Sequence, residues 1–216
     1  MTDWASAMEQ QLLDAALALA PREGWTSRTA RLAGEACGLT QGETELLIPQ
    51  GPADLAALLS RRHDAAALAV LAEVDPKSLK IRERIARAVA ARLDAALAEG
   101  EAEKRLAGFL ALPHNLALAG RLAWESADVL WRWAGDTALD ENHYSKRAIL
   151  AGVLTGALGV GLASGREAAL AFVSRRIDDV MAFETWKATT RLKPSRFAQG
   201  LAQALSRLRY GTRPSA

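Results

Sequence analysis

The chain has 216 residues, 50% of them hydrophobic but only 6% aromatic, so its apolar half is mostly Ala and Leu. Both are strong helix formers, and the near absence of β-branched runs excludes a sheet-based fold. A single Cys excludes a disulfide framework and a Cys-based zinc site, and a formal charge of +2 does not by itself mark a nucleic-acid binder.

Proline and glycine divide the chain into about ten predicted helices. The first covers 3–20, with Met8, Leu12, Ala15, Ala16 and Leu19 at helical spacing, and Pro21 and Gly24 end it. Thr26 or Ser27 caps a second helix to 36, and Thr40 caps a short third to 48. Further helices are expected at 53–74, 78–99, 101–112 and 115–134. A polar connector, 135–144, separates these from helices at 146–163 and 166–189, and Pro194 opens a last one to 210. Charge-free runs are read as shorter than the ~18 residues of a spanning helix, so no membrane span is expected. Residues 1–10 carry acids and no basic apolar leader, so no secretory or transit signal is expected either.

The first three helices and the Cys37-Gly38-Leu39-Thr40 turn outline a helix-turn-helix, which resembles the DNA-binding head of TetR-type regulators. In that family the helix after the turn carries bases into the major groove. Here it reads Gln41 to Ile48, with Glu43 and Glu45 and no base. Carboxylates repel phosphate, so this unit is read as scaffold and DNA is not an expected partner. The alternative is a TetR-class regulator with a small apolar effector.

The eighth predicted helix is uncharged from Ala148 to Ala163 and holds Gly152, Gly156, Gly159 and Gly161. Each internal Gly costs ~0.5–1 kcal/mol against Ala, so a geometric reason is expected. The Gly152-x-x-x-Gly156 spacing suits close approach of another backbone. Such a helix is either a core or interface helix or the wall of an apolar cavity. Trp124 and Trp131, one heptad apart, share a face that either lines a pocket or fills a core.

The charge is uneven: residues 185–216 carry seven bases and no acid, which leaves the rest of the chain at −5. In "SRFAQGLAQALSRLRY", Phe197, Leu201, Ala204, Leu205 and Leu208 form one stripe, opposite Arg196, Gln199, Gln203, Arg207 and Tyr210. That pattern suits an interfacial helix, or equally one packed on the body.

Catalysis has little support. His63, His114 and His143 lack metal-ligand spacing, and there is no Glu-x-x-His pair, P-loop, dinucleotide fingerprint or nucleophile elbow. Cys37 is read as a packing residue. No enzyme activity, metal or cofactor is expected.

The segment "DVLWRWAGDTALDENHYSKRAIL" resembles the signature of the Coq-nine family. The likeness continues through "RRIDDVMAFETWKA" and back through "ALPHNLALA" to "LKIRERIARAVAARLDAAL", covering about 79–188. The resemblance implies an all-α, TetR-like homodimer without DNA-binding function. It implies a lipid-binding accessory protein of ubiquinone biosynthesis that holds an isoprenoid quinone intermediate or a phospholipid and presents it to a hydroxylase. The lipid would lie between the seventh, eighth and ninth helices, against Trp124, Trp131, Leu150, Val153, Leu154, Ala157, Leu158, Val180 and Phe183. Partner docking would fall to Asp140, His143, Tyr144 and Arg147, although His143 stands where mitochondrial relatives carry Trp. Membrane contact would fall to Arg196, Phe197, Leu201, Leu205, Arg207 and Leu208. The expected division is a head at 1–50, a lipid-binding core at 51–190 and a membrane-contacting helix at 191–216. The expected location is cytoplasmic, peripherally on the inner membrane.

Overall fold

A computed structural model describes residues 2–136 and 141–190, with side chains over 4–136 and 143–182. It is all-α. Among the described residues there are nine α-helices: α1 Thr2–Glu23, α2 Ser27–Ala36, α3 Gln41–Leu47, α4 Pro52–Leu71, α5 Ile81–Leu97, α6 Glu101–Leu110, α7 Leu116–Trp133, α8 Glu141–Ser164 and α9 Arg166–Thr190. Single 3-10 turns at Pro76–Ser78 and Pro113–Asn115 precede α5 and α7. The predicted last helix lies outside the described residues.

Several boundaries differ from expectation by two to five residues, and three of them have a local reason. α1 runs on to Glu23 with Pro21 in its last turn. There the missing N–H removes only one ladder bond, and Gly24 N–H still reaches Ala20 O at 2.9 Å. α5 starts at Ile81, because Asp75 caps the 3-10 turn through Lys77 N–H and Glu83 accepts from Lys80 N–H at 3.0 Å. α8 starts at Glu141, so the end of the expected connector is its first turn.

The first three helices share an apolar cluster with α4, α6 and α7, in which Leu12, Leu13, Trp25 and Ile48 meet Leu55, Leu59, Leu106 and Leu122. The Trp25 indole N–H donates to Ala102 O at 3.0 Å, tying the head to α6. Thr40 and Glu43 form a capping box on α3, with Glu43 Oε2 accepting from Thr40 N–H at 2.8 Å. Those bonds hold the Glu43 carboxyl below its ordinary value. α2 and α3 cross closely: a Cβ at Gly34 would lie 2.2 Å from Thr44 Oγ1. Gly34→Ala is therefore expected to lose about 1–3 kcal/mol by overpacking, against the ~0.5–1 kcal/mol that Ala gains in a helix. Urea unfolding checks this, and a stabilised variant would contradict the crossing.

The uncharged run extends from Ala148 to Gly165, longer than expected, and His143–Ser164 is long and apolar enough to cross a membrane. In the structure 28% of its most apolar stretch is buried, and α8 packs one face on α5 and α7 through residues such as Leu150, Val153 and Ala157. Its glycines serve different ends. A Cβ at Gly156 would come 2.7 Å from the Phe172 ring, and one at Gly161 would come 3.2 Å from Leu97. At Gly152 it would meet nothing within 4 Å. A ring on Gly156, rather than a backbone across the Gly152–Gly156 pair, is what approaches.

The chain divides into two compact units, Met1–Ser174 and Arg175–Ala216. The described part of the second is the latter half of α9, where Arg176 and Asp179 pair at 2.7 Å.

Candidate functional site

Two features of the first unit can do chemistry. One is a ledge where α7 passes to α8. α7 ends in a Schellman turn: Gly135 takes a φ of +88°, its N–H reaches Arg132 O at 3.0 Å, and Asp136 N–H reaches Trp131 O at 3.0 Å. Arg84 of α5 clamps this end by donating to Ala134 O at 2.8 Å.

Asp136 is thereby delivered to the start of α8. It accepts from Lys146 Nζ at 2.7 Å and from Arg147 Nη1 at 3.1 Å. Arg147 Nε donates to Asp128 at 2.5 Å, and Arg132 also pairs with Asp128, at 2.8 Å. The Arg147 side chain is only 2% exposed. Burial opposes ionisation of Asp128 and Asp136, but the hydrogen bonds and charges of Arg147, Lys146 and Arg132 outweigh it and hold both carboxyls below their ordinary value. Trp131 completes the clamp, donating from Nε1 to Lys146 O at 3.1 Å beneath the Lys146 ammonium. On top of this frame Tyr144 is 65% exposed, with its ring 6.1 Å from Trp124 and 5.2 Å from His143.

The other feature is a cavity of about 410 Å³ among α4, α5, α6, α7 and α8. Its walls are Ala and Leu side chains such as Leu93, Leu106, Leu110, Leu122, Ala123 and Leu158. Small residues on Ala-rich helices leave the space, because facing positions lack the bulk to interdigitate. Polar groups gather on its lining. Arg92 Nε donates to Asp64 Oδ1 at 2.6 Å, Ser126 Oγ pairs with Asp64 Oδ2 at 3.1 Å, and Arg92 Nη2 lies 3.4 Å from Ser60 Oγ. His63 and Glu103, also on the lining, are 2% and 4% exposed.

Burial pushes the His63 imidazolium down to about 3, helped by the charges of Arg92 and Arg62. Burial raises Glu103 to about 7, with Arg92 opposing and Glu99 adding to it. A place in the first turn of α6 favours a carboxylate by only ~0.3–1 kcal/mol, which burial outweighs. No group of three or more metal-ligating side chains occurs among the described residues.

The sequence-predicted residues fall in several places. Leu154, Ala157 and Leu158 line the cavity. Leu150 and Val153 are buried in packing, while Trp124 and Trp131 share a face toward the ledge. Val180 belongs to the second unit. Among the described residues the remaining walls come from α7, as expected, and from α4, α5 and α6 rather than α9. Tyr144 and His143 sit on the ledge, and Arg147 beneath it as its brace. Asp140, the Phe183 side chain, Arg196, Phe197, Leu201, Leu205, Arg207 and Leu208 lie outside the described residues. Sequence reasoning passed over Ser60, Asp64, Arg92, Glu103 and Ser126, and weighed His63 only as a metal ligand. Their one signal was polarity on helix faces otherwise made of Ala and Leu.

Residues 116–184 match the COQ9 family model. The chain is 29% identical over 157 residues to ubiquinone biosynthesis protein COQ9-A, mitochondrial, of Xenopus laevis, covering 68% of this chain and 48% of that protein. It is 27% identical over 154 residues to the COQ9 of Bos taurus, with 68% and 48% covered, and 25% identical over 154 residues to that of Homo sapiens, with the same coverage. The chain spans about half the length of these curated relatives. The matched region contains α7, the ledge, α8 and part of α9, and over it the chain is similar to the COQ9 family.

Proposed function

We propose that this chain is a non-catalytic lipid-binding accessory protein of ubiquinone biosynthesis. It holds an isoprenoid quinone intermediate or a phospholipid in the α4–α8 cavity and presents it to a hydroxylase of the pathway. The cavity, apolar through most of its wall and partly formed by the COQ9 region, is the observation that carries this reading. A prenyl chain resists leaving the bilayer at ~0.8 kcal/mol per CH₂, and an apolar cavity offsets that cost. The protein calls for no cofactor, because the hydroxylase supplies the chemistry.

The ledge is the proposed docking surface. An exposed Tyr on a frame braced from below loses little freedom on binding, which suits an interface anchor. Arg147 acts there by holding the frame. The basic segment 191–216, with six bases and no acid, is the proposed membrane contact. Bases near an anionic leaflet contribute about 1 kcal/mol each. The protein works as a homodimer, cytoplasmic and peripheral to the inner membrane. The regulator reading is less well supported, since α3 has no base and Glu43 is engaged in its own cap.

Removing the protein from its host is expected to lower ubiquinone and accumulate an unhydroxylated intermediate. Tyr144→Ala should reproduce that pattern while the purified variant still retains lipid. Unchanged ubiquinone in the deletion would contradict the pathway role, and a normal Tyr144→Ala strain would contradict the docking surface.

A further inference from the structure

We infer that the corner between α6 and α7, residues 106–120, is a membrane-seating port: it enters the apolar boundary of a lipid bilayer and sets the mouth of the cavity there, so that cargo passes between bilayer and cavity without crossing water. The inference rests on the lipid-holding reading above and goes beyond it, because it assigns a surface separate in sequence from the basic segment 191–216.

Exposure locates the mouth. Most of the cavity lining is buried or half-buried, but Ala111 and Leu116 at the corner, and Thr155 and Gly159 of α8, line the cavity while exposed. Leu116 is 58% exposed, and Leu112, just before the 3-10 turn, is 43% exposed. A Cβ at Gly159 would meet nothing within 4 Å, so no neighbouring side chain closes that rim. The Thr155 hydroxyl donates to Ala151 O at 2.9 Å, which turns it to its own helix.

The charge pattern fits a leaflet. Residues 106–120 contain no Asp, Glu, Lys or Arg, and α8 across the mouth is uncharged from Ala148 to Ser164. The first charged residues on either side are bases, Arg105 and Arg121, both exposed. Their partners, Glu101 and Glu125, lie one turn further from the corner. An apolar centre edged by long cationic side chains complements a bilayer, with stems along the apolar surface and heads at the phosphates.

The corner also satisfies its backbone from within. Asn115 Nδ2 donates to Phe109 O at 2.9 Å, Asn115 N–H to Leu112 O at 2.8 Å and Ala111 N–H to Ala107 O at 3.0 Å. Such bonds matter at a bilayer, whose apolar part offers a backbone group no partner. They also fix Leu112 and Leu116 outward beforehand, so little freedom is lost on contact. A second copy seated here would bury the same leucines but close the mouth, which makes the bilayer the occupant that fits.

The test places a nitrobenzoxadiazole fluorophore on one cysteine of the full chain, by His114→Cys or, for comparison, Arg82→Cys, each with Cys37→Ser. Arg82 is exposed near the start of α5, away from the cavity-lining Val89, Leu93 and Ala96. On vesicles of phosphatidylcholine and phosphatidylglycerol, the label at 114 should shift to the blue and be quenched by bromine on the acyl chains, while the label at 82 should do neither. Leu112→Asp should slow uptake of tritiated geranylgeraniol from vesicles by at least about tenfold. Leu112 does not line the cavity, so the amount finally held should be unchanged. A label at 114 that stays in water, equal quenching at both positions, or uptake indifferent to Leu112→Asp overturns the port and leaves the lipid reading standing. So does a blue shift at 114 that appears without vesicles and fades on dilution, which assigns the corner to a second copy. A wild-type chain that takes up no geranylgeraniol overturns both. The labels decide the matter even if Leu112→Asp does not fold.

Discussion

Arg147→Met is expected to destabilise the protein by about 3–5 kcal/mol at neutral pH, a larger loss than removing an exposed pair would bring. The cost arises because the guanidinium satisfies two carboxylates at once. Asp136, with a side chain only 7% exposed, would keep Lys146, but Asp128 would keep only the exposed Arg132. Urea unfolding should show the loss, and Arg147→Met with Asp136→Asn should cost less than the two changes added.

The pH dependence follows from the same geometry. Asp128 and Asp136 titrate below their ordinary 3.8 in the folded chain. Their stabilisation is therefore full above the unfolded value and is lost as the pH falls through the folded values. Acid unfolding of Asp128→Asn/Asp136→Asn should lack that component. An Arg147→Met protein as stable as wild type would mean that the brace beneath Tyr144 is absent.

Glu103→Gln should act in the opposite direction and stabilise. The Glu103 carboxyl ionises at about 7 when folded and at 4.5 ordinarily. A raised value means that its contribution is full below 4.5 and is lost as the pH rises through about 7. At ~1.36 kcal/mol per unit this is on the order of 3 kcal/mol. Gln carries no such penalty, so the variant should match wild type near pH 4 and exceed it by about 2–3 kcal/mol at pH 8. His63 contributes the reverse slope, losing stability as the pH falls from 6.5 toward about 3. The variant should therefore retain only a rise of stability with pH up to that point. Urea midpoints across this range decide it, and an unchanged profile would mean that Glu103 is not buried in the cavity wall.

These two sites also show what could be read from residues alone. The helices were legible because Ala and Leu recur at helical spacing between Pro and Gly. The Thr40–Glu43 box and the turn at Gly135 are local signals of the same kind. The first turn of α8 was not legible, because Glu141 to Ser145 is polar and reads as loop until Asp128 and Asp136 are seen to hold Arg147. The cavity was legible only in part. Helical periodicity showed that α8 has an apolar wall, so Leu154, Ala157 and Leu158 could be named. It carries no information on which helices face each other, and His63, Arg92 and Glu103 meet from three successive helices, α4, α5 and α6.

The central claim is that the cavity shelters a lipid. Native mass spectrometry of the purified full chain, followed by organic extraction, tests it most directly. Ala123, half-buried on the cavity wall, can be enlarged to Trp to fill the space. The account predicts wild-type protein carrying an extractable isoprenoid quinone intermediate or phospholipid, and an Ala123→Trp protein that folds but has lost most of it. A wild-type chain that flies bare after gentle purification and takes up no prenyl lipid, indistinguishable from Ala123→Trp, would contradict it.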